Sequence, residues 1–250
     1  MSLLGSLFPK KLYATEDLGN KLEVFDTGSE LVFKFNGITY SKLSKESVFT
    51  HQYWDYFLPA AYLFKNPSVL IIGLGSGTIP YQMQKLLGQG ISIDAVENSE
   101  KIKEIAEKFL PEKLNAKLIV ADGADFVRKS PKSHYDIVIL DAYFNERIPE
   151  QFLTSEFVES AYNALKPSGV LLVNFAMTFM GALNYARYVS KLKTRFKVYR
   201  VHTAITEGNI IILCSKLLDD YEINKRIKEA MPSNADTLPL IRNYESMKEE

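Results

Sequence analysis

The sequence has little of what disulfide-bonded, metal-binding or membrane-spanning proteins need. Its 250 residues include one cysteine and three scattered histidines, which excludes an intrachain disulfide and gives no cluster of metal ligands. No run reaches the ~20 apolar residues of a membrane span. Lysine plus arginine and aspartate plus glutamate number 30 each, so no basic field indicates a nucleic-acid partner. We therefore expect no metal, no membrane segment and no nucleic acid.

Two further features concern the cellular compartment. The partly apolar segment at residues 3–8 is too short for a secretory signal and has no small-residue cleavage site after it. Cys214 ends an apolar run typical of a strand, which favours a buried, inert thiol over a nucleophile. We expect a cytoplasmic protein.

The chain is organised around a buried strand, a glycine-rich turn and a helix. Residues 69–72 are apolar and are followed by Gly73, Gly75 and Gly77, after which helical spacing begins at Ile79. Glycines let the backbone come close to a ligand, and a helix N-terminus offers free N–H groups. Dinucleotide-binding folds usually have G-x-G-x-x-G. The shorter G-x-G-x-G spacing resembles the S-adenosylmethionine site of class I methyltransferases.

Strands and helices alternate after residue 68. Further strands are predicted at residues 91–96, 117–120, 135–140, 170–175, 197–202 and 209–215. Repeated β-α units imply an α/β protein with a parallel sheet and helices on both faces. The final hairpin, turning near Glu207, fits a Rossmann-like, seven-stranded methyltransferase sheet. We divide the chain into an N-terminal β-hairpin region (1–45), a transferase domain (46–232) and a C-terminal surface extension (233–250).

A β-hairpin is predicted before the main fold. The Asn-Gly pair at residues 36–37 lies between two alternating segments, and this pair favours a tight type I′ turn. In that register Phe35 is opposite Ile38 and Phe33 is opposite Tyr40, which gives one apolar face. We expect this face to pack on the main domain or on another subunit, and in the second case the chain is a homodimer through the hairpin.

Residues 46–64 are predicted to form an aromatic-rich helix that Pro59 kinks or divides. His51 and Asp55 are four residues apart and would share a face of this helix. Two interpretations stay open for it: the helix covers the sheet, or it forms a wall of the substrate pocket.

Polar residues follow the predicted strands at the edge where ligands bind in such sheets. Glu97 is placed to accept hydrogen bonds from ribose hydroxyls. Asp122 is placed to accept one from an adenine amino group, with Gly123 leaving room beside the ring. Asp141 follows the fourth strand, near the sulfonium end of the ligand. It is able to orient an amine, accept its proton or stabilise positive charge.

From about residue 30 to residue 215, the sequence resembles the spermidine synthase-like aminopropyltransferases. The resemblance is carried by the glycine turn with the apolar Ile71 before it, by Glu97, Asp122 and Asp141 in family order, and by the F-L-T-S-E-F segment at residues 152–157. It implies decarboxylated S-adenosylmethionine as the donor, a small amine as the acceptor and no metal.

The resemblance also implies site residues, with departures. Asp141 would be catalytic, and His51, Gln52 and Tyr143 would contact the substrate, the first two standing for the family's H-E pair. The family pattern D-[ST]-[ST]-D-P-x-G-P is D-A-Y-F-N-E-R-I-P here, so Phe144 replaces the second aspartate. Cationic polyamines need carboxylates, because an unpaired ammonium is costly to desolvate.

Three hypotheses therefore stay open. The favoured one is aminopropyl transfer from decarboxylated S-adenosylmethionine to an amine. The alternative is methyl transfer from S-adenosylmethionine itself to a small molecule, since Tyr143, Phe144 and Trp54 suit a flatter, less charged acceptor. That donor keeps a carboxylate, which needs N–H groups or a base. The third is a non-catalytic module that binds a nucleoside.

Overall fold

In the computed structural model, the described residues are 9–144, 147–177, 179–202 and 208–250, without the side chains of 179–183 and 202. They form a four-stranded sheet and an eight-stranded sheet. The turn predicted near Glu207 lies outside the described residues.

The N-terminal sheet is antiparallel, in the order β1-β2-β3-β4. Its strands are β1 (Lys10–Asp17), β2 (Asn20–Asp26), β3 (Glu30–Phe35) and β4 (Ile38–Ser44). The predicted turn is confirmed, since residues 36 and 37 have φ of 49° and 82°. Phe35 pairs with Ile38 as expected. The expected pairing of Phe33 with Tyr40 is wrong, because an irregularity after Phe33 shifts the register and places it opposite Ser41.

The segment predicted as one helix contains only short helical pieces. A 3-10 turn at Tyr53–Phe57 leads into α1 (Leu58–Ala61), with Pro59 in its first turn. Before them, the Asp55 carboxylate accepts hydrogen bonds from the backbone N–H of Thr50 and of His51, the latter at 2.7 Å. These bonds fold the chain back around Asp55, so His51 and Asp55 do not share a helix face.

The main sheet has the order β12-β10-β11-β9-β8-β5-β6-β7. In chain order its elements are β5 (Ser68–Ile72), α2 (Thr78–Leu87), β6 (Ser92–Glu97), α3 (Glu100–Phe109), β7 (Ala116–Val120), α4 (Gly123–Lys129), β8 (Tyr135–Leu140), α5 (Ser155–Ala164), β9 (Leu165–Ala176), α6 (Phe179–Leu192), β10 (Lys197–His202), β11 (Asn209–Ser215), α7 (Asp220–Ala230), α8 (Thr237–Glu245) and β12 (Lys248–Glu249). Strands β9, β8, β5, β6 and β7 are parallel, and β11 is antiparallel to β9. The α/β sheet expected from the sequence is confirmed, and β12 adds one short edge strand.

The apolar face of the N-terminal sheet packs on α3. Leu22 and Phe33 are buried there together with Ile102 and Ile105 of the helix. The face therefore packs on the main domain, the first of the two expected outcomes. A homodimer through the hairpin stays a prediction.

The C-terminal segment is not a surface extension. Tyr244 of α8 is fully buried in the apolar layer that covers one side of the main sheet, and its hydroxyl donates to the carbonyl oxygen of Tyr56 at 2.7 Å. β12 pairs with β10. The apolar residues Leu240, Ile241 and Tyr244 have the spacing of a helical stripe, and this stripe is the reason that the segment folds onto the core. Within the part of the chain that the structure describes, no helix has the length and apolar character to cross a membrane.

Candidate active site at the carboxyl ends of the strands

The central parallel strands end level with one another. The paired residues in this row are Leu140, Ile72, Val96 and Ile119, one from each of β8, β5, β6 and β7. The next residues along the first three strands are Asp141, Gly73 and Glu97. Asp122 and Gly123 follow β7 at the start of α4. The fold therefore brings the residues predicted at the strand ends to one edge of the sheet.

The glycine turn packs directly against Asp141. Gly73 has a φ of 92°, and a Cβ atom on it would overlap the carbonyl oxygen of Asp141. Its N–H donates to the carbonyl oxygen of Val96 at 2.9 Å. Gly77, with a φ of 86°, is the N-cap of α2. Glycine is thus required at residue 73 both for its backbone conformation and for the close approach to Asp141.

The N-terminal sheet closes one side of this turn. The Ser41 hydroxyl of β4 accepts a hydrogen bond from the N–H of Ser76 at 2.8 Å and lies 2.5 Å from the Ser76 hydroxyl. A Cβ atom on Gly75 would lie 3.2 Å from the same Ser41 oxygen. Local sequence patterns give no sign of this contact, because it joins residues that lie 35 positions apart in the chain.

Glu97 is buried, and its carboxylate is fixed by backbone N–H groups. One oxygen accepts from Leu74 at 3.1 Å, and the other accepts from Asn98 at 2.9 Å and from Ser99 at 3.2 Å. Burial raises the pKa of Glu97, and these three hydrogen bonds act in the opposite direction. A carboxylate has about four lone-pair positions, so one acceptor position is left for a ligand.

Asp17 of β1 is a neighbour of Glu97 that the sequence did not indicate. The Ser99 hydroxyl donates to Asp17 Oδ2 at 2.5 Å and also accepts from the N–H of Ile102 as the N-cap of α3. The negative charge of Asp17 raises the pKa of Glu97 further. β1 lies before the segment predicted as a hairpin, so sequence reasoning placed no residue from it in the site.

Asp122 and Gly123 lie where expected, but with different immediate contacts. Asp122 caps α4, since Oδ1 accepts from the N–H of Asp125 at 2.8 Å and Oδ2 accepts from Gln151 at 3.2 Å. A Cβ atom on Gly123 would overlap the side chain of Ile72. Gly123 therefore allows α4 to begin close to β5. Its role in leaving room beside an adenine ring stays a prediction.

Asp141 follows β8, near the middle of the main sheet. The residue as a whole is half-buried, and Oδ1 of its carboxylate accepts from Asn174 Nδ2 at 2.8 Å. The Tyr53 hydroxyl and the Trp54 indole N–H lie close enough to Asp141 to lower its pKa. Loss of solvent raises the pKa of Asp141 to about 7, while Asn174, Tyr53 and Trp54 act in the opposite direction. A carboxyl group with this pKa exchanges protons readily near neutral pH.

Two asparagines behind Asp141 were missed in the sequence. Asn174 in β9 is 1% exposed, and its Oδ1 accepts from Nδ2 of Asn209 at 2.8 Å. The available signal was a single amide inside the apolar run at residues 170–175. A buried polar group needs a partner, which points to a second polar residue on a neighbouring strand.

The predicted substrate contacts are not all brought to Asp141. His51 has a side chain that is 70% exposed, and its Nε2 lies 3.7 Å from Asp236 Oδ1. Gln52 is partly exposed, and its N–H donates to the Thr50 hydroxyl at 3.3 Å. The pairing of His51 with Asp236 gives it a surface contact with the C-terminal segment.

Tyr143 and Phe144 lie on the segment that follows β8. The Tyr143 hydroxyl donates to the carbonyl oxygen of Asn174 and accepts from the N–H of Ala176, both at 2.9 Å. Both contacts are with the backbone of β9, so this hydroxyl anchors the segment. Phe144 is 51% exposed and packs edge-on against Phe35 of the N-terminal sheet, with ring centroids 6.0 Å apart.

Two further observations concern the surroundings of the site. A cavity of about 430 Å³ beside α4 is lined by residues that include Asp94, Lys117 and Tyr135, and Asp122 is its contact with the strand-end site. Across the described ranges, no three histidine, cysteine, aspartate or glutamate side chains are grouped so as to hold a metal ion.

Comparisons with known proteins identify the family. The family model for the spermine/spermidine synthase domain matches residues 56–225. A probable polyamine aminopropyl transferase of Bifidobacterium longum is 30% identical over 179 residues, which are 70% of this chain and 40% of that protein. The polyamine aminopropyltransferase of Vibrio vulnificus is 28% identical over 233 residues, which are 85% of this chain and 77% of that protein.

The fold is also similar to that of a solved structure. The spermidine synthase of Thermotoga maritima matches with a TM-score of 0.72 and 20% sequence identity, over 94% of this chain and 84% of that chain. This match concerns the fold, while the family model covers the strands and the glycine turn that build the site. The chain belongs to the spermine/spermidine synthase family.

Proposed function

We propose that this protein transfers an aminopropyl group from decarboxylated S-adenosylmethionine to an amine acceptor. The observation that carries the proposal is the position of Asp141. Its backbone carbonyl group borders the turn at Gly73, while its carboxylate is oriented by Asn174 and has a pKa raised to about 7.

The donor would be held by the strand-end residues. The acceptor position that is left on Glu97 suits one ribose hydroxyl, where the sequence had suggested both. Asp122 accepts one hydrogen bond on each oxygen, and a carboxylate has about four lone-pair positions. It therefore keeps the capacity to accept from an adenine amino group. The turn at residues 73–77 would run beside the sulfur-bound chain.

The reaction is a displacement at carbon. The lone pair of the acceptor amine forms a bond to the aminopropyl carbon attached to sulfur, the carbon–sulfur bond breaks, and its electron pair stays on sulfur, which yields methylthioadenosine. The attacking nitrogen must lose a proton. Asp141 would accept it, and a base is most effective when its pKa is near the working pH.

The surroundings of Asp141 favour a small acceptor of low charge. Its polar neighbours are an amide, a phenol and an indole, from Asn174, Tyr53 and Trp54, and none of them carries a negative charge that would neutralise a second ammonium. Phe144 stands where the family pattern has another aspartate. A short amine with one cationic centre at the site would fit this pocket better than a long polyamine.

Methyl transfer from S-adenosylmethionine is the second candidate. The half-exposed ring of Phe144 favours it, because an aromatic wall suits a flat or weakly charged acceptor. The two candidates require different donors, since S-adenosylmethionine carries a carboxylate that the decarboxylated donor lacks.

Binding of the donor tests these candidates directly. Calorimetric titrations would use S-adenosylmethionine, its decarboxylated form and methylthioadenosine, with Asp141→Asn as a control that keeps the nucleoside contacts. Tighter binding of the decarboxylated donor, little changed in the variant, supports aminopropyl transfer. Tighter binding of S-adenosylmethionine supports methyl transfer, and no binding of any of the three removes the enzyme proposal.

The cytoplasmic location belongs to the proposal as well. It is supported by the buried, unpaired Cys214, because a chain with one buried thiol has no disulfide that would require an oxidising compartment. Cell fractionation tests it.

A further inference from the structure

Asp141, Asn174 and Asn209 form one hydrogen-bonded row across three strands. Asn174 Nδ2 donates to Asp141 Oδ1, and Asn209 Nδ2 donates to Asn174 Oδ1, each at 2.8 Å. Asn174 is 1% exposed, so water does not compete for its amide. The row begins after β8, crosses β9 and ends at the first residue of β11.

The two ends of the Asn174 amide are not equivalent. An ionised carboxylate only accepts hydrogen bonds, so Asn174 must present Nδ2 to Asp141. A protonated Asp141 is able to donate a hydrogen bond. The Asn174 amide could then be rotated by about 180°, so that its Oδ1 faces Asp141 and accepts that bond. With Asn209 Nδ2 at the other end, that rotation places two NH₂ groups against each other.

We propose that Asn209 is a positioning residue, which fixes the Asn174 amide with Nδ2 towards Asp141 and thereby keeps Asp141 a proton acceptor. The role of Asp141 as the group that receives a proton rests on the proposed function. The orientation of the amide does not, because it follows from contacts within the chain. Asn209 acts on Asp141 through Asn174 and is not itself a catalytic residue.

The other titratable groups near Asp141 stay neutral in the pH range in which Asp141 titrates. Among the described residues, those that face it are Tyr53 from the 3-10 turn and Tyr143 from the segment after β8. Burial raises the pKa of both tyrosines above the ordinary value, and the charge of Asp141 raises both further. A change in the titration of Asp141 when Asn209 is altered therefore reports on the amide row.

Two variants of Asn209 separate a positional role from a general structural one. Asn209→Leu has a similar size and no donor. Asn209→Asp has nearly the same shape and offers acceptors, so it favours the reversed amide of Asn174. Asn243→Leu is the matched control, because Asn243 of α8 also donates a hydrogen bond from a partly buried site, to the Tyr56 hydroxyl at 2.9 Å.

The readout is the ¹³C chemical shift of the Asp141 carboxyl group across a pH titration, assigned by comparison with Asp141→Asn. We expect the midpoint to rise by about one pH unit in Asn209→Leu, to rise further in Asn209→Asp and to be unchanged in Asn243→Leu. The same midpoint in all of these proteins overturns the proposal. The acid limb of the kcat–pH profile should move with the midpoint.

The outcome is separable from that of the proposed function. A shifted midpoint in a protein with no transfer activity keeps this inference and removes the proposed reaction, and an unshifted midpoint in an active enzyme does the opposite. If the variants of Asn209 fail to fold, the wild-type protein gives the answer. The NH₂ resonances of Asn209, and not only those of Asn174, must then move with the midpoint of Asp141, and Asn209 resonances that stay constant overturn the proposal.

Discussion

The carboxylate of Glu97 accepts a hydrogen bond from the backbone N–H of Leu74 at 3.1 Å. Leu74 lies inside the glycine turn after β5, and Glu97 ends the neighbouring strand β6. The bond makes the shape of the turn depend on the position of the carboxylate. The nucleoside-binding side of the proposed site is therefore a single hydrogen-bonded unit and not a set of independent contacts.

The first prediction concerns this unit. Glu97→Gln replaces an acceptor by an NH₂ group that must face backbone N–H donors, and a buried donor without an acceptor costs about 1–3 kcal/mol. We expect lower thermal stability and at least tenfold weaker binding of methylthioadenosine, measured by calorimetry. Asp94→Asn on the same strand is the control, because Asp94 accepts from the Tyr135 hydroxyl and an asparagine oxygen is able to do the same. Equal losses in both variants would contradict this account of Glu97.

The second prediction separates close contact from backbone strain. Gly73 and Gly28 have φ of 92° and 95°, but a Cβ atom on Gly28 would have no neighbour within 4 Å. Gly28→Ala should cost about 1 kcal/mol for the conformation alone. Gly73→Ala should cost about 3 kcal/mol or more, because its methyl group also overlaps Asp141. Urea unfolding measures both, and similar values would mean that the turn does not pack against Asp141 as described.

The third prediction concerns the pH dependence of stability. The pKa of Asp141 is raised from 3.8 to about 7 in the folded protein, so between these values the folded state binds more protons than the unfolded state. The free energy of unfolding therefore falls as pH rises through this window, by at most about 1.4 kcal/mol per pH unit. Asp141→Asn lacks this contribution. Urea unfolding from pH 4 to pH 8 should show the wild type losing stability relative to the variant. If the free energy of unfolding of the two proteins changes in parallel with pH, the pKa of Asp141 is not raised.

The fourth prediction concerns the C-terminal segment. Tyr244→Phe removes the buried hydrogen bond to the carbonyl oxygen of Tyr56, which should lower the free energy of unfolding by about 1–2 kcal/mol. Tyr221→Phe is the control, since Tyr221 is 73% exposed on α7. If Tyr244→Phe is as stable as this control, residues 237–249 do not belong to the folded core.

The elements of the main sheet were predictable because their strands are buried on both faces. Such strands are continuous apolar runs, and β8 and β11 begin and end at the predicted residues. The polar residues that end these runs, Asp141 and Glu97, were predictable for the same reason. Parallel strands bring their ends to one edge whatever the details of packing.

Contacts between separate parts of the chain were not predictable. The helix expected around His51 is replaced by a loop folded around Asp55, because buried hydrogen bonds outweighed helical spacing. Ser41 reaches the glycine turn from a sheet whose packing on α3 no local pattern encodes. The link between Asn174 and Asn209 joins residues of two strands that are paired in space, and a single sequence does not reveal which buried amides become partners.

The most direct test of the central claim is a turnover measurement by mass spectrometry with decarboxylated S-adenosylmethionine and a set of small amines, for the wild type and for Asp141→Asn. We predict that the wild type forms methylthioadenosine and an aminopropylated amine in equal amounts. The variant should bind the donor but lose at least a hundredfold in kcat, the scale of general base catalysis. Equal turnover by the variant, or methylation of the acceptor from S-adenosylmethionine with no aminopropyl product, would contradict the account.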